Sequence, residues 1–62
     1  MKILKDNLKL EKIWTIGDEF GWGINEKDIV KETEETIEYK TKKKYFVIRK
    51  SNIVAIRYKW KG

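Results

Sequence analysis

The residues of this 62-residue chain that could carry chemistry are carboxylates, cations and aromatic rings. There is no His and no Cys, so the commonest acid–base and thiol devices are missing. Ser51 is the only serine and has no histidine to activate it. Asp18 with Glu19, or Glu26 with Asp28, offers oxygen ligands to a divalent cation, but no EF-hand-like spacing frames them. No phosphate-cradling loop follows a strand and opens a helix. The chain is expected not to be an enzyme and to need no cofactor or metal.

The remaining residue types suit binding. Residues 1–17 carry four Lys against Asp6 and Glu11. Residues 18–38 carry eight acids against Lys27 and Lys31, and residues 39–62 carry nine Lys or Arg and no acid. The net charge of +5 is therefore segregated along the chain, and such a field steers a polyanion to one side. Trp22, Lys42, Lys43, Lys44, Arg49, Arg57 and Lys59 are the expected nucleic-acid contacts, with Lys40, Lys61, Tyr45, Tyr58 and Trp60 beside them in sequence. Cations for phosphates and rings for bases are what a single strand of RNA or DNA requires.

Other readings stay open. The acidic and basic hairpins could simply neutralise one another. A protein-binding module or small inhibitor, of the kind phage-encoded antagonists of host defence represent, would use the acidic 18–38 stretch. Glu32, Glu34 and Glu35 would then meet a basic nucleic-acid site on another protein by charge mimicry. Self-association is a third possibility, because Val47, Ile53 and Ala55 fall on the strand faces opposite Phe46, Ile48, Val54 and Ile56.

These side chains must be positioned by strands. The stretch Tyr45–Trp60, YFVIRKSNIVAIRYKW, reads as two strands, Tyr45–Arg49 and Ile53–Trp60, about a bend at Lys50–Ser51–Asn52. Val54, Ile56, Tyr58 and Trp60 share one parity and Arg57, Lys59 and Lys61 the other, which predicts a half-buried strand with a cationic outer row. Parity would turn Trp60 inward, although the ring also suits an exposed platform. Leu8–Ile16 and Ile37–Thr41 read as further strands, Asp28–Glu32 as a short one, and Lys2–Lys5 as an edge strand. Asn25 could cap a helical turn. The loop Gly17–Gly23 carries Phe20 and Trp22, either folded back as a lid or with one ring exposed. The predicted core is Trp14, Phe46, Ile48, Val54 and Ile56. A chain this short buries only about 60% of its unfolded surface, so one domain spanning residues 1–62 is expected. No run approaches the length of a transmembrane helix and no signal peptide is visible. The absence of Cys suits a cytoplasmic setting.

The segment Ile48-Arg49-Lys50-Ser51-Asn52-Ile53-Val54-Ala55-Ile56 resembles the second motif of Sm-like proteins, an Ile-Arg-Gly-Asp-Asn-type run leading into an apolar strand. Phe20 followed by Ile24-Asn25 is similar to their first motif. Gly21, Lys50 and Ser51 depart from the Asp, Gly and Asp of that pattern, and Gly23 stands at the base-stacking position. The resemblance implies a five-stranded antiparallel barrel of the SH3/Sm-like type, ring-forming strands and single-stranded RNA binding. It adds Asn25 to Arg49 as a nucleotide contact and makes Trp22 the substitute stacking ring. The bent strand also looks like generic SH3-type barrels.

Overall fold

The computed structural model describes residues 2–61. All six strands are antiparallel: β1 (Leu8–Thr15), β2 (Trp22–Gly23), β3 (Ile29–Glu32), β4 (Thr36–Lys40), β5 (Tyr45–Arg49) and β6 (Ile53–Trp60). They form two three-stranded sheets, ordered β2-β1-β6 and β3-β4-β5. Short 3-10 turns at Glu26–Asp28 and Lys50–Asn52 lead into β3 and β6. Asn25 caps the first, its side chain accepting the Lys27 N–H.

The expected barrel is corrected in two respects. There are six strands rather than five, and they form two separate sheets instead of a closed ladder. The strand β2 is two residues long, and the turn Lys50–Asn52 separates β5 from β6. Single backbone bonds continue past the strand ends: Ile24 N–H to the Glu11 carbonyl at 2.9 Å and Lys50 N–H to the Glu35 carbonyl at 2.7 Å.

Among the described residues, three strand positions have no cross-strand partner. Leu10 faces Tyr58 and Lys12 faces Arg57, leaving Glu11 as a bulge. Trp14 faces Ala55 and Thr15 faces Ile53, leaving Val54. Ile29 faces Tyr39 and Lys31 faces Glu38, leaving Val30. A bulge adds one residue to one strand and increases its bend and twist. It also reverses parity. Ile53 and Ile56 both pack on the core, while Val54 is 63% exposed, so the expectation of a buried Val54 is corrected.

The core consists of Ile3, Leu10, Ile13, Ile24, Ile37, Tyr39 and Ile48, with Phe46, Ile53, Ile56 and Tyr58 packed against it. Trp14, expected inside, is only half-buried on the outer face of β1, where alternation with fully buried Ile13 puts it. Trp60 lies at the end of β6 and is 73% exposed.

Lys2–Lys5 is not a strand. It is held by side chains instead. The Glu32 carboxylate accepts the Ile3 N–H at 2.6 Å and the Leu4 N–H at 3.2 Å, and the Tyr58 hydroxyl donates to the Ile3 carbonyl at 2.6 Å. These bonds seat Ile3 in the core, where it is fully buried.

Candidate nucleic-acid interface

The expected contacts fall into three groups. Lys42, Lys43 and Lys44 are exposed at the β4–β5 hairpin tip. The tip backbone is fixed: Thr41 N–H donates to the Lys44 carbonyl, and Thr41 Oγ1 accepts the N–H groups of Lys43 and Lys44. A short polar residue closing its own turn is the usual device for such a bend.

Trp22 and Arg49 form the second group. With Thr15, Ile16, Val47 and Asn52 they line an open groove of about 590 Å³ at one edge of the two sheets. Trp22 pairs with Ile13 and so shares its inward face. Its ring meets Phe46 edge-on at 5.6 Å, and Phe46 stacks on Tyr39 at 4.8 Å. The indole N–H donates to Thr15 Oγ1. Trp22 thereby links the sheets and keeps 37% of its surface exposed.

The third group is Asn25, Arg57 and Lys59. They line a groove of about 480 Å³ with Lys9, Glu11 and Gly23. Arg57 Nε donates to Glu11 Oε2 at 2.9 Å.

Of the two rings of the Gly17–Gly23 loop, that of Phe20 is the more exposed, at 82%. Its loop is ordered by Asp18, whose Oδ1 accepts the N–H groups of Phe20 and Gly21. Gly17 and Gly21 take positive φ of 81° and 79° there, a region other residues avoid. A Cβ on Gly21 would stand 2.9 Å from Trp14 Nε1 and 2.7 Å from Lys12 Cε. Gly21 therefore lets the loop lie on Trp14. This loop carries two aromatics, and which of them points outward is settled by the pairing of Trp22 with Ile13 across the β1–β2 hairpin.

The acids behave differently from a solvated row. Glu32, expected on an exposed partner surface, is corrected to a buried structural group. Its carboxylate meets Lys50 Nζ at 2.7 Å, with side-chain exposures of 9% and 7%. Burial pushes this carboxyl up, and bonds from Lys50 and from the Ile3 and Leu4 N–H groups outweigh it, leaving the pKa below its ordinary 4.5. Glu38 is also engaged, with Lys31 at 3.7 Å and with the Tyr45 hydroxyl at 2.7 Å. Accepting that hydroxyl raises the Tyr45 pKa. Glu34 and Glu35 remain exposed in the turn before β4.

Among the described residues, ion pairs join Lys31 to Glu38, Lys50 to Glu32, Arg57 to Glu11 and Lys61 to Glu26. Lys40, Lys42, Lys43, Lys44, Arg49 and Lys59 enter none of them. No family model matches the chain, and no curated protein or solved structure matches it.

Proposed function

We propose that this chain is a non-catalytic binding module that holds single-stranded nucleic acid on the cations and rings of its C-terminal half, on a fold of the SH3/Sm-like barrel kind. The observation that carries this reading is the set of six C-terminal cations that have no acidic partner among the described residues. The acids nearest the sheets are already engaged by other groups, so the excess positive charge faces solvent. Exposed phosphates neutralise such charge with release of counterions. Tyr45, Trp60 and Phe20 are exposed rings on which bases can stack. The barrel part of the reading is supported by the 3-10 turn ahead of the long last strand and by three bulges that coil the sheets. The acidic alternative loses Glu32 to the interior and retains Glu34 and Glu35.

Fluorescence anisotropy of a labelled oligonucleotide tests it. The wild-type protein binds at low salt and releases as salt rises. Changing Lys42, Lys43 and Lys44 to Glu weakens binding by about tenfold or more. Reversing Glu34 and Glu35 leaves it in place. A wild-type protein that fails to bind at low salt, or a triple variant that binds as well, sinks the reading.

A further inference from the structure

Four cations share the outer face of the β2-β1-β6 sheet. Lys9 stands directly opposite Lys59, and Lys12 directly opposite Arg57. Directly opposed side chains lie on one face, and the inward residues Leu10, Ile13 and Tyr58 fix that face as the outer one. The result is a two-by-two array of positive charge. Its rows are about 6.8 Å apart along β6, two residues of strand. Like charges directly opposite destabilise a sheet, and this sheet has two such pairs in succession.

The neighbours cancel one of the four charges. Glu11 is the acid within ion-pair distance, and it bonds Arg57. Lys9 and Lys59 are exposed and enter no ion pair among the described residues. The array is also held in place. Lys12 Nζ lies 5.2 Å from the Trp14 ring centroid and Arg57 Cζ 6.0 Å from it, a cation–π arrangement that orders both side chains. On the other side, three of the four cations line the groove that Asn25 and Gly23 complete.

We infer that this face is a phosphate seat, in which the Lys9–Lys59 and Lys12–Arg57 pairs each receive one of two successive phosphates of the bound strand. The inference rests on the nucleic-acid reading above and adds Lys9 and Lys12 to it. A repeating anion satisfies two repeating cation pairs, whereas one carboxylate satisfies one. Nucleic acid is favoured over an acidic peptide by the rings at the same end. Trp14 lies beside the second pair, and Phe20 projects from the loop that covers Trp14.

The test is the double variant Lys9→Gln with Lys59→Gln, titrated with a labelled oligothymidylate over a salt series. The slope of log K against log salt falls by about 0.7 for each phosphate of a single strand that the protein no longer neutralises. The arginine double variant at the same positions retains the wild-type slope. Without ligand, the glutamine variant melts at a higher temperature than wild type at low salt, and this gain disappears at high salt. If the glutamine variant keeps the wild-type slope while the Lys42/Lys43/Lys44 variant loses affinity, the phosphate seat is wrong and the nucleic-acid reading stands. If the wild-type protein binds no oligonucleotide, both are wrong. A lower melting temperature for the glutamine variant, or binding of polyglutamate in preference to the oligonucleotide, also overturns the seat.

Discussion

On the outer face of β3–β4, Lys31 stands directly opposite Glu38 and the two form an ion pair. On the outer face of β1–β6, Lys9 stands opposite Lys59 and Lys12 opposite Arg57. The two ladders use the same geometry and the same residue classes. One face neutralises its charge within the ladder, and the other concentrates it. Glu38 is bonded a second time by Tyr45 across β4–β5, whereas the acid ion-paired to the cation array among the described residues is Glu11, a bulge residue bonded to Arg57. The Lys31–Glu38 pair serves the fold, whereas the opposed Lys9 and Lys59 have no acid partner among the described residues. Solubility alone would not require cations to face one another.

The largest effect expected from this division is at Glu32, where the sheet of paired charges meets the core. Glu32→Ala removes the carboxylate that the buried Lys50 ammonium meets at 2.7 Å and orphans the N–H groups of Ile3 and Leu4. Removing one partner of a buried pair costs roughly 3–5 kcal/mol, and this pair in a small domain belongs near 3. Domains of this size have a total stability of about 3–9 kcal/mol, so the variant approaches unfolding, as urea denaturation will show. The same carboxylate sets an acid limb. Its folded pKa is depressed, so its contribution is full above 4.5 and is lost as pH falls below that value through the folded pKa. A Glu32→Gln protein is less stable at neutral pH and has a shallower acid limb. An unchanged acid limb would remove Glu32 from its structural role.

How much of this was legible beforehand depends on distance along the chain. The strands Tyr45–Arg49 and Ile53–Trp60 have their expected bounds, because β-branched and aromatic runs between polar turns are local signals. The cap at Asn25 and the turn at Lys50–Asn52 are local too. The facing of Val54 was not legible. Ile53 and Val54 are both strand formers, and nothing in either marks the bulge. Glu32 looks like its neighbours Glu34 and Glu35, and only its contact with Lys50 and with the first residues of the chain makes it structural. The candidate site divides in the same way. Lys42, Lys43 and Lys44 announce themselves as a run, whereas the partnership of Lys9 with Lys59 exists only in the register.

A second comparison is internal to the loop that lies on the cation face. Gly17 and Gly21 have nearly the same positive φ, yet a Cβ on Gly17 meets nothing within 4 Å while one on Gly21 meets Lys12 and Trp14. Gly17→Ala costs the backbone term alone, roughly 1–2 kcal/mol. Gly21→Ala adds overpacking and comes to about 3 kcal/mol. Gly21→Ala also shifts the Trp14 indole resonance in NMR spectra, and Gly17→Ala leaves it in place. Equal costs at the two positions would mean that the loop does not rest on Trp14, and the ordering of Lys12 by that ring would fail with it.

The smallest effects address the comparison of the two faces directly. Lys9→Glu gives the β1–β6 ladder an opposed pair like that of Lys31 and Glu38. Glu38→Lys gives the β3–β4 ladder a like-charged pair. Cross-strand pairs of this kind are worth roughly 0.2–1 kcal/mol; exposure holds the Lys9–Lys59 position toward the lower end, while the partly buried Glu38 stands toward the upper. Lys9→Glu therefore raises the urea midpoint slightly and Glu38→Lys lowers it, and both shifts shrink as salt is added. Binding is expected to move the other way on the first face, since Lys9→Glu removes a cation and introduces an acid at the proposed phosphate seat. A variant that gains stability as it loses affinity separates charge retained for a ligand from charge retained for the fold. If Lys9→Glu lowers both, the lysines of β1 and β6 belong with Lys31 and Glu38 as structural charge, and the distinction between the two sheets disappears.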